Sequence, residues 1–292
     1  MIGYKFVKGY RGNDILRESF NQLAYDTFGI SFEKWYKLGF WTDKYEPYSY
    51  IDGDKVIANV SVNQIDLVID GEHRKAIQIG TVMTHPDHRG KGLSAELMKK
   101  VMEDYQGADI AYLFANKTVL EYYPRFGFSP VGEHQPLLKL EAVRGKELPL
   151  KKLDGCLQED IDFIYDLAQR RKPVSTKFSA AGNAELLMFY CTYAFPDDIY
   201  YCPEKEAVIL MKVEGETMHL FDVICSKEID IEELAAGLAP AEVKEVLFHF
   251  TVESTSDRLI SVPFKGEEVM FVITAEGLVL PEIFKHPITS QA

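Results

Sequence analysis

Apolar positions recur along this chain with two periods, and the switches between them mark alternating strands and helices. Residues 4–7 predict a short strand, and Asn13-Asp14 then opens a helix. Its apolar positions, Ile15, Leu16, Phe20 and Leu23, fall near a 3.6-residue repeat. Residues 31–38 predict a second helix, rich in aromatic side chains. Strands are expected over 48–51 and 56–68, joined by a turn at Asp52-Gly53-Asp54. Residues 76–84 predict a further strand, stopped by His85-Pro86-Asp87. After a glycine-rich loop, Leu93, Leu97, Met98, Val101, Met102 and Tyr105 form the stripe of a third helix, which ends at Gly107. Ile110, Tyr112 and Phe114 alternate along a strand over 108–115. Residues 118–123 read as a short helix stopped near Pro124, and strands over 129–132 and 137–140 are expected to close the domain.

The second half repeats much of this order. Helices are predicted over 160–170 and 183–193, strands over 199–202, 207–213 and 217–224, a helix over 231–237, and strands over 245–252 and 268–274. The run Arg144-Gly145-Lys146-Glu147 is the expected junction. The reading is therefore an α/β chain of two domains, residues 1–145 and 146–292, the second a degenerate copy of the first.

Length supports two such units: 292 residues, 47% apolar, can bury two ordinary cores. No apolar run approaches the roughly 18 residues that would span a bilayer. Met1-Ile2-Gly3-Tyr4-Lys5 lacks the apolar core of a secretion signal, so a cytoplasmic protein is expected. Charge is uneven. Residues 1–147 hold 19 basic against 20 acidic side chains, whereas 148–292 hold 13 against 25. Such a field disfavours nucleic acid and anionic membrane as partners, and leaves the neutral first half as the place for a polyanionic ligand. Cys156, Cys191, Cys202 and Cys225 form no CxxC pair and stand near no histidine cluster. Those in apolar stretches, such as Cys191 and Cys225, are expected to be small core residues, and no metal is expected.

The main chemical signal is Arg89-Gly90-Lys91-Gly92-Leu93-Ser94, set between a strand and a helix. Glycines allow the backbone close to a ligand, and a first helical turn offers unpaired N–H groups to an anion such as a pyrophosphate. Arg89 and Lys91 add positive charge. The spacing is neither that of a Walker A loop nor that of the dinucleotide fingerprint GxGxxG.

With its surroundings, this stretch resembles the GNAT N-acetyltransferase superfamily over roughly residues 1–140. That family's Gln/Arg-x-x-Gly-x-Gly/Ala signature is matched by Arg89-x-x-Gly92-x-Ser94, with serine at the last position. Val82-Met83-Thr84-His85-Pro86-Asp87-His88 looks like the family's lead-in, and Asn116 through Tyr123-Pro124-Arg125-Phe126-Gly127-Phe128 looks like its distal element. The resemblance implies a GNAT acyl-CoA N-acyltransferase fold, with acetyl-CoA as cosubstrate and an amine as acceptor. It implies that Val82, Met83 and Thr84 hold the pantetheine arm between two splayed strands. It implies that Arg89, Gly90, Lys91, Gly92, Leu93 and Ser94 cradle the pyrophosphate. Asn116 would contact the cofactor, and Tyr123 would protonate the departing thiolate, with Tyr122 as its understudy.

An amine of pKa near ~10 must lose a proton before it attacks, and a phenol of similar pKa suits the leaving thiolate. For the base, Glu33, Asp43, Asp66, His85 and Glu121 are all conceivable, and the sequence selects none. Aromatic residues Phe32, Trp35, Tyr36, Phe40, Trp41, Tyr45 and Tyr48 are expected to divide between core packing and a wall on the acceptor side.

In the second half the corresponding loop has no glycine and carries Glu228, Asp230, Glu232 and Glu233, so it is expected to have lost cofactor binding. It would then wall the acceptor pocket or mediate homo-oligomers. A tandem with one working copy resembles the enhanced-intracellular-survival-type aminoglycoside acetyltransferases, without their sterol-carrier-like domain. The alternatives to acetyl transfer are a CoA-binding sensor or scaffold without turnover, and transfer of a longer acyl group.

Overall fold

The computed structural model describes residues 3–140 and 146–292. Arg144 and Gly145, with the domain boundary drawn at residue 145, lie outside the described residues. In chain order, β1 (Lys5–Lys8), α1 (Asp14–Phe28) and α2 (Glu33–Lys37) precede a meander of β2 (Tyr45–Asp52), β3 (Lys55–Ile69) and β4 (Glu72–Thr84). Then come α3 (Leu93–Asp104), β5 (Ile110–Asn116), β6 (Ser129–Val131) and β7 (His134–Lys139). The second half opens with β8 (Lys151–Leu153), α4 (Gln158–Gln169), β9 (Phe178–Ala181) and α5 (Ala184–Phe189). It continues through β10 (Ile199–Cys202), β11 (Ala207–Glu214), β12 (Thr217–Cys225) and α6 (Ile231–Leu238). Last come β13 (Glu245–Phe248), β14 (Leu259–Pro263) and β15 (Glu268–Thr274). No helix among the described residues is long and apolar enough to cross a membrane.

Local chemistry explains most boundaries. Asn13 caps α1 by accepting the Leu16 N–H at 3.2 Å, and Gly29 ends the helix in the left-handed region. The helix expected over 118–123 does not form. Asn116 Oδ1 takes the Thr118 N–H at 3.0 Å in a local turn, and a short 3-10 turn, Tyr123–Phe126, follows. The competing causes are the Asn side chain and Pro124, which restricts the residue before it.

Two mixed sheets result. The first runs β1-β2-β3-β4-β5-β15-β6, with β9 added against β3; the second runs β8-β10-β11-β12-β13-β7-β14. In each, one neighbouring pair is parallel, β4 with β5 and β12 with β13. The two orders are the same, except that the halves exchange a strand. β15 lies along β5 from Glu268↔Asn116 to Thr274↔Ile110 and also pairs β6. β7 pairs instead with β13, Val246↔Leu138, and with β14, Ile260↔Leu137. The strand expected over 137–140 therefore does not close the first sheet. Its alternating pattern specifies a strand but not which open edge it joins, and that is decided when both halves collapse together.

Val56 and Ile57, neighbours on β3, belong to different apolar clusters, so these clusters lie on opposite faces of the sheet. On the Ile57 face, Leu97, Met98 and Val101 of α3 pack with Val60, Ile79 and Phe271. On the Val56 face, Phe20, Trp35 and Trp41 share one core with Ile164, Leu187 and Leu210 from the second half. Each such buried side chain contributes about 1.5–3 kcal/mol of transfer free energy, so the shared core binds the halves firmly. Cys191, Cys202 and Cys225 are buried; Cys156, in the turn before α4, is exposed.

Candidate active site

β4 and β5 pair from Ala76↔Ile110 to Ile79↔Leu113 and then part. At the parting point β4 carries a bulge: its register against β3 shifts between Asn59 and Ser61, and Thr81 takes a φ of 50°. A β-branched residue there is strained by about 1–3 kcal/mol. Asn59 holds it by donating to the Thr81 carbonyl at 2.9 Å, and the Tyr45 hydroxyl meets Thr81 Oγ1 at 2.9 Å. Gly80 sits so close to the end of the chain that a Cβ would lie 2.9 Å from the Ala292 carbonyl carbon. Any side chain at position 80 would push this segment away.

A cavity of about 560 Å³ opens between the parted strands. Val82, Met83, Thr84, Arg89 and Ser94 line one side, and Asn116, Tyr122 and Tyr123 line the other. Gly90, Lys91, Gly92 and Leu93 do not line it. Leu93 is buried in the core beneath α3, and the Lys91 ammonium donates to the Tyr4 hydroxyl at 3.2 Å. Arg89 Nε donates to the Thr84 carbonyl at 3.1 Å.

The loop itself suits an anion. Gly92 enters α3 with a φ of 79°, no side chain caps the helix, and a Cβ built on Gly92 would meet nothing within 4 Å. The first-turn N–H groups therefore face open space with the positive end of the helix dipole behind them, which fits a pyrophosphate. Ser94, where the family has Gly or Ala, uses its hydroxyl to meet the Tyr122 hydroxyl at 2.9 Å. That bond ties the helix to the opposite wall.

Tyr123 is buried against Phe128 and Phe271. Burial, reinforced by Tyr122 and Glu268, pushes its phenol up to about 12. Glu268 was not foreseen from sequence. It heads β15 opposite Asn116, lines the cavity, and accepts a hydrogen bond from the Gln291 amide. Burial holds its carboxyl above the ordinary carboxylate range. No sequence signal could have found it, because only the strand exchange brings it here. Of the earlier base candidates, Glu33 pairs with Arg17 at 3.0 Å and Asp43 with Arg11 at 3.0 Å, and none of the five lines the cavity.

Beyond the parted strands, Phe32, Trp35 and Tyr45 line the cavity together with Leu186, Phe189 and Tyr190 of the second half. Phe40 and Trp41 are core residues, Trp41 only 2% exposed, and Tyr48 is fully buried with its hydroxyl on Asp104 at 2.7 Å.

The second half has its own parting, after Leu220↔Phe248 on β12 and β13. There the chain's last segment fills the gap. Ile288 N–H donates to the His249 carbonyl at 3.0 Å, and the Thr289 hydroxyl donates to Asp222 at 2.5 Å. Gln78 of the first sheet then donates to the Ser290 carbonyl at 3.0 Å, and Tyr190 to that of Gln291 at 2.5 Å. The tail thus leaves the second cleft and ends at the first.

Residues 12–131 match the family described as acetyltransferase (GNAT) domain. The first half is a GNAT domain, and the protein is an acyltransferase. The GNAT fold extends to the second half. A conserved protein of unknown function from Enterococcus faecalis V583, described as a probable N-acyltransferase, superposes with a TM-score of 0.63 at 14% identity. The superposition covers 93% of this chain and 72% of that one. Eis1 from Mycobacterium abscessus gives 0.57 at 13% identity over 92% and 72% of the two chains. A GCN5-related N-acetyltransferase from Kribbella flavida gives 0.56 at 15% over 93% and 72%. At these identities the likeness is one of fold. Among curated proteins the sequence finds no match. GNAT domains take an acyl-CoA cosubstrate, and the open first turn of α3 accords with that.

Proposed function

We propose that this protein transfers the acetyl group of acetyl-CoA to a primary amine by direct attack. The observation that carries the reading is one cavity that runs from Arg89 and Ser94, which flank the glycine loop, past the parted ends of β4 and β5, to Tyr123. In this reading Gly90, Lys91, Gly92, Leu93 and Ser94 offer main-chain N–H groups to the pyrophosphate, with Arg89 adding charge. Val82, Met83 and Thr84 lend backbone groups to the pantetheine arm, and an N–H there stabilises negative charge developing on the thioester oxygen. Asn116 faces the arm from β5. Tyr123 delivers its proton to sulfur as the C–S bond breaks. A phenol raised to about 12 remains protonated at neutral pH, as a donor must.

The test is a thiol-release assay with acetyl-CoA and a panel of amines, run on the native protein and on Tyr123→Phe. Release with an amine, strongly slowed in the variant, supports the reading. Binding of acetyl-CoA with no release for any amine would turn it toward a CoA sensor.

A further inference from the structure

Building on the acetyl-transfer reading, we propose that the acceptor is a primary amine with an apolar body, and that Glu268 binds its ammonium group and takes the first proton from it. The acceptor side of the cavity is walled by Phe28, Ile30, Phe32, Trp35, Leu186 and Phe189. Glu268 is the only carboxylate side chain among the described residues of the wall, and Arg89, the only cation, is turned to the Thr84 carbonyl. A polycation would bring several ammonium groups into this largely apolar space, where Glu268 is the one acidic side chain of the described wall, and each unpaired charge moved from water is heavily penalised. Aromatic faces could replace carboxylates, but those of Phe32 and Phe189 are occupied. Phe32 is stacked on Tyr45 at 5.5 Å and on Phe189 at 5.4 Å, and Phe189 is stacked on Tyr193 at 5.1 Å. What these rings offer a ligand is their edges, which suit a hydrocarbon.

Glu268 lines the cavity that this apolar wall shares with Tyr123. It lies across from Asn116, where β5 ends, and its charge is felt by the phenols of both Tyr123 and Tyr190. The Gln291 amide donates to it, and Ala292, the next residue, lines the same cavity. Lys117, on the adjoining turn, is engaged by Glu267 at 3.7 Å. The raised carboxyl range of Glu268 brings it closer to the amine as a proton acceptor. In the reaction, one ammonium proton passes to the Glu268 carboxylate and on to solvent. The freed nitrogen lone pair forms the N–C bond, the C–S bond breaks, and sulfur takes the Tyr123 proton. The second nitrogen proton then restores the phenol.

The experiment measures kcat/KM by thiol release with 2-phenylethylamine, n-hexylamine, spermidine and kanamycin, on the native protein and on Glu268→Gln. The expected result is a preference of about 100-fold for the first two amines over the two polycations. Glu268→Gln should lower kcat/KM at pH 7 by about 100-fold or more, with acetyl-CoA affinity unchanged by calorimetry. That deficit should shrink towards pH ~10, where the amine supplies its own neutral form. Equal or better use of the polycations overturns the proposal and leaves acetyl transfer standing. A Glu268→Gln variant within threefold of native, or a deficit constant across pH, overturns the role of the carboxylate. No release with any amine removes acetyl transfer itself, and this inference with it.

Discussion

The guanidinium of Arg171 meets the carboxylate of Asp222 through two hydrogen bonds, at 2.9 and 2.6 Å, with both side chains buried. The same carboxylate takes the Thr289 hydroxyl, so one ion pair joins the end of α4, strand β12 and the tail. Removing one partner leaves the other charge buried and uncompensated. Arg171→Ala is expected to cost about 3–5 kcal/mol of unfolding free energy, measured by urea titration. Replacing both residues together by apolar ones of similar size should cost much less.

Gly92→Val should abolish acetyl-CoA binding while the protein remains folded. The left-handed φ at this position adds a penalty of about 1–2 kcal/mol for a side chain, too little to unfold a domain of this size. The new methyl groups would occupy the space in front of the first turn of α3. Unchanged calorimetric affinity in a folded variant would refute the cradle.

Tyr123→Phe and Tyr122→Phe should differ in kind. The first removes the proposed proton donor, and kcat is expected to fall by about 100-fold or more with acetyl-CoA affinity nearly intact. The second breaks the bond to Ser94, and should weaken acetyl-CoA binding with a smaller effect on kcat. Steady-state kinetics with separate KM and kcat distinguishes the two.

Stability should decline as pH falls below about 6.5. His249 and His286 are both lowered to about 3, first by burial, with His219 and Lys285 adding to the shift at His249 and Lys285 at His286. The unfolded chain therefore binds protons from about pH 6.5 downward while the folded chain does so only near 3. The stability these neutral rings contribute is complete above pH 6.5 and is lost progressively between those values. Urea midpoints at pH 7, 6 and 5 check this, and the slope should flatten in a His249→Gln, His286→Gln double variant.

Much of this architecture could be read from the chain, because its signals are local. The cap at Asn13, the stripe from Leu93 to Val101 and the glycine at position 92 each act within a turn or two of themselves. What escaped detection depends on distant partners. Strands β8, β9 and β14 are short and amphipathically weak, and exist because an edge awaits them. β7 and β15 were legible as strands, while their exchange was not. The same limit hid Glu268, Phe189 and Tyr190, which reach the cavity only through the packing of one half on the other. Trp41 shows the converse: its type suggested a binding wall, and the ring count around it, from Phe20 to Tyr45, buries it.

The interlocked strands also order events during biosynthesis. A ribosome releases residues 12–131 long before it reaches 268, so the nascent GNAT domain must wait with the β5 edge open. Such an edge invites wrong pairing. It is sealed only once the strand carrying Glu268 emerges, so the carboxylate that would complete the site is also among its last parts to arrive.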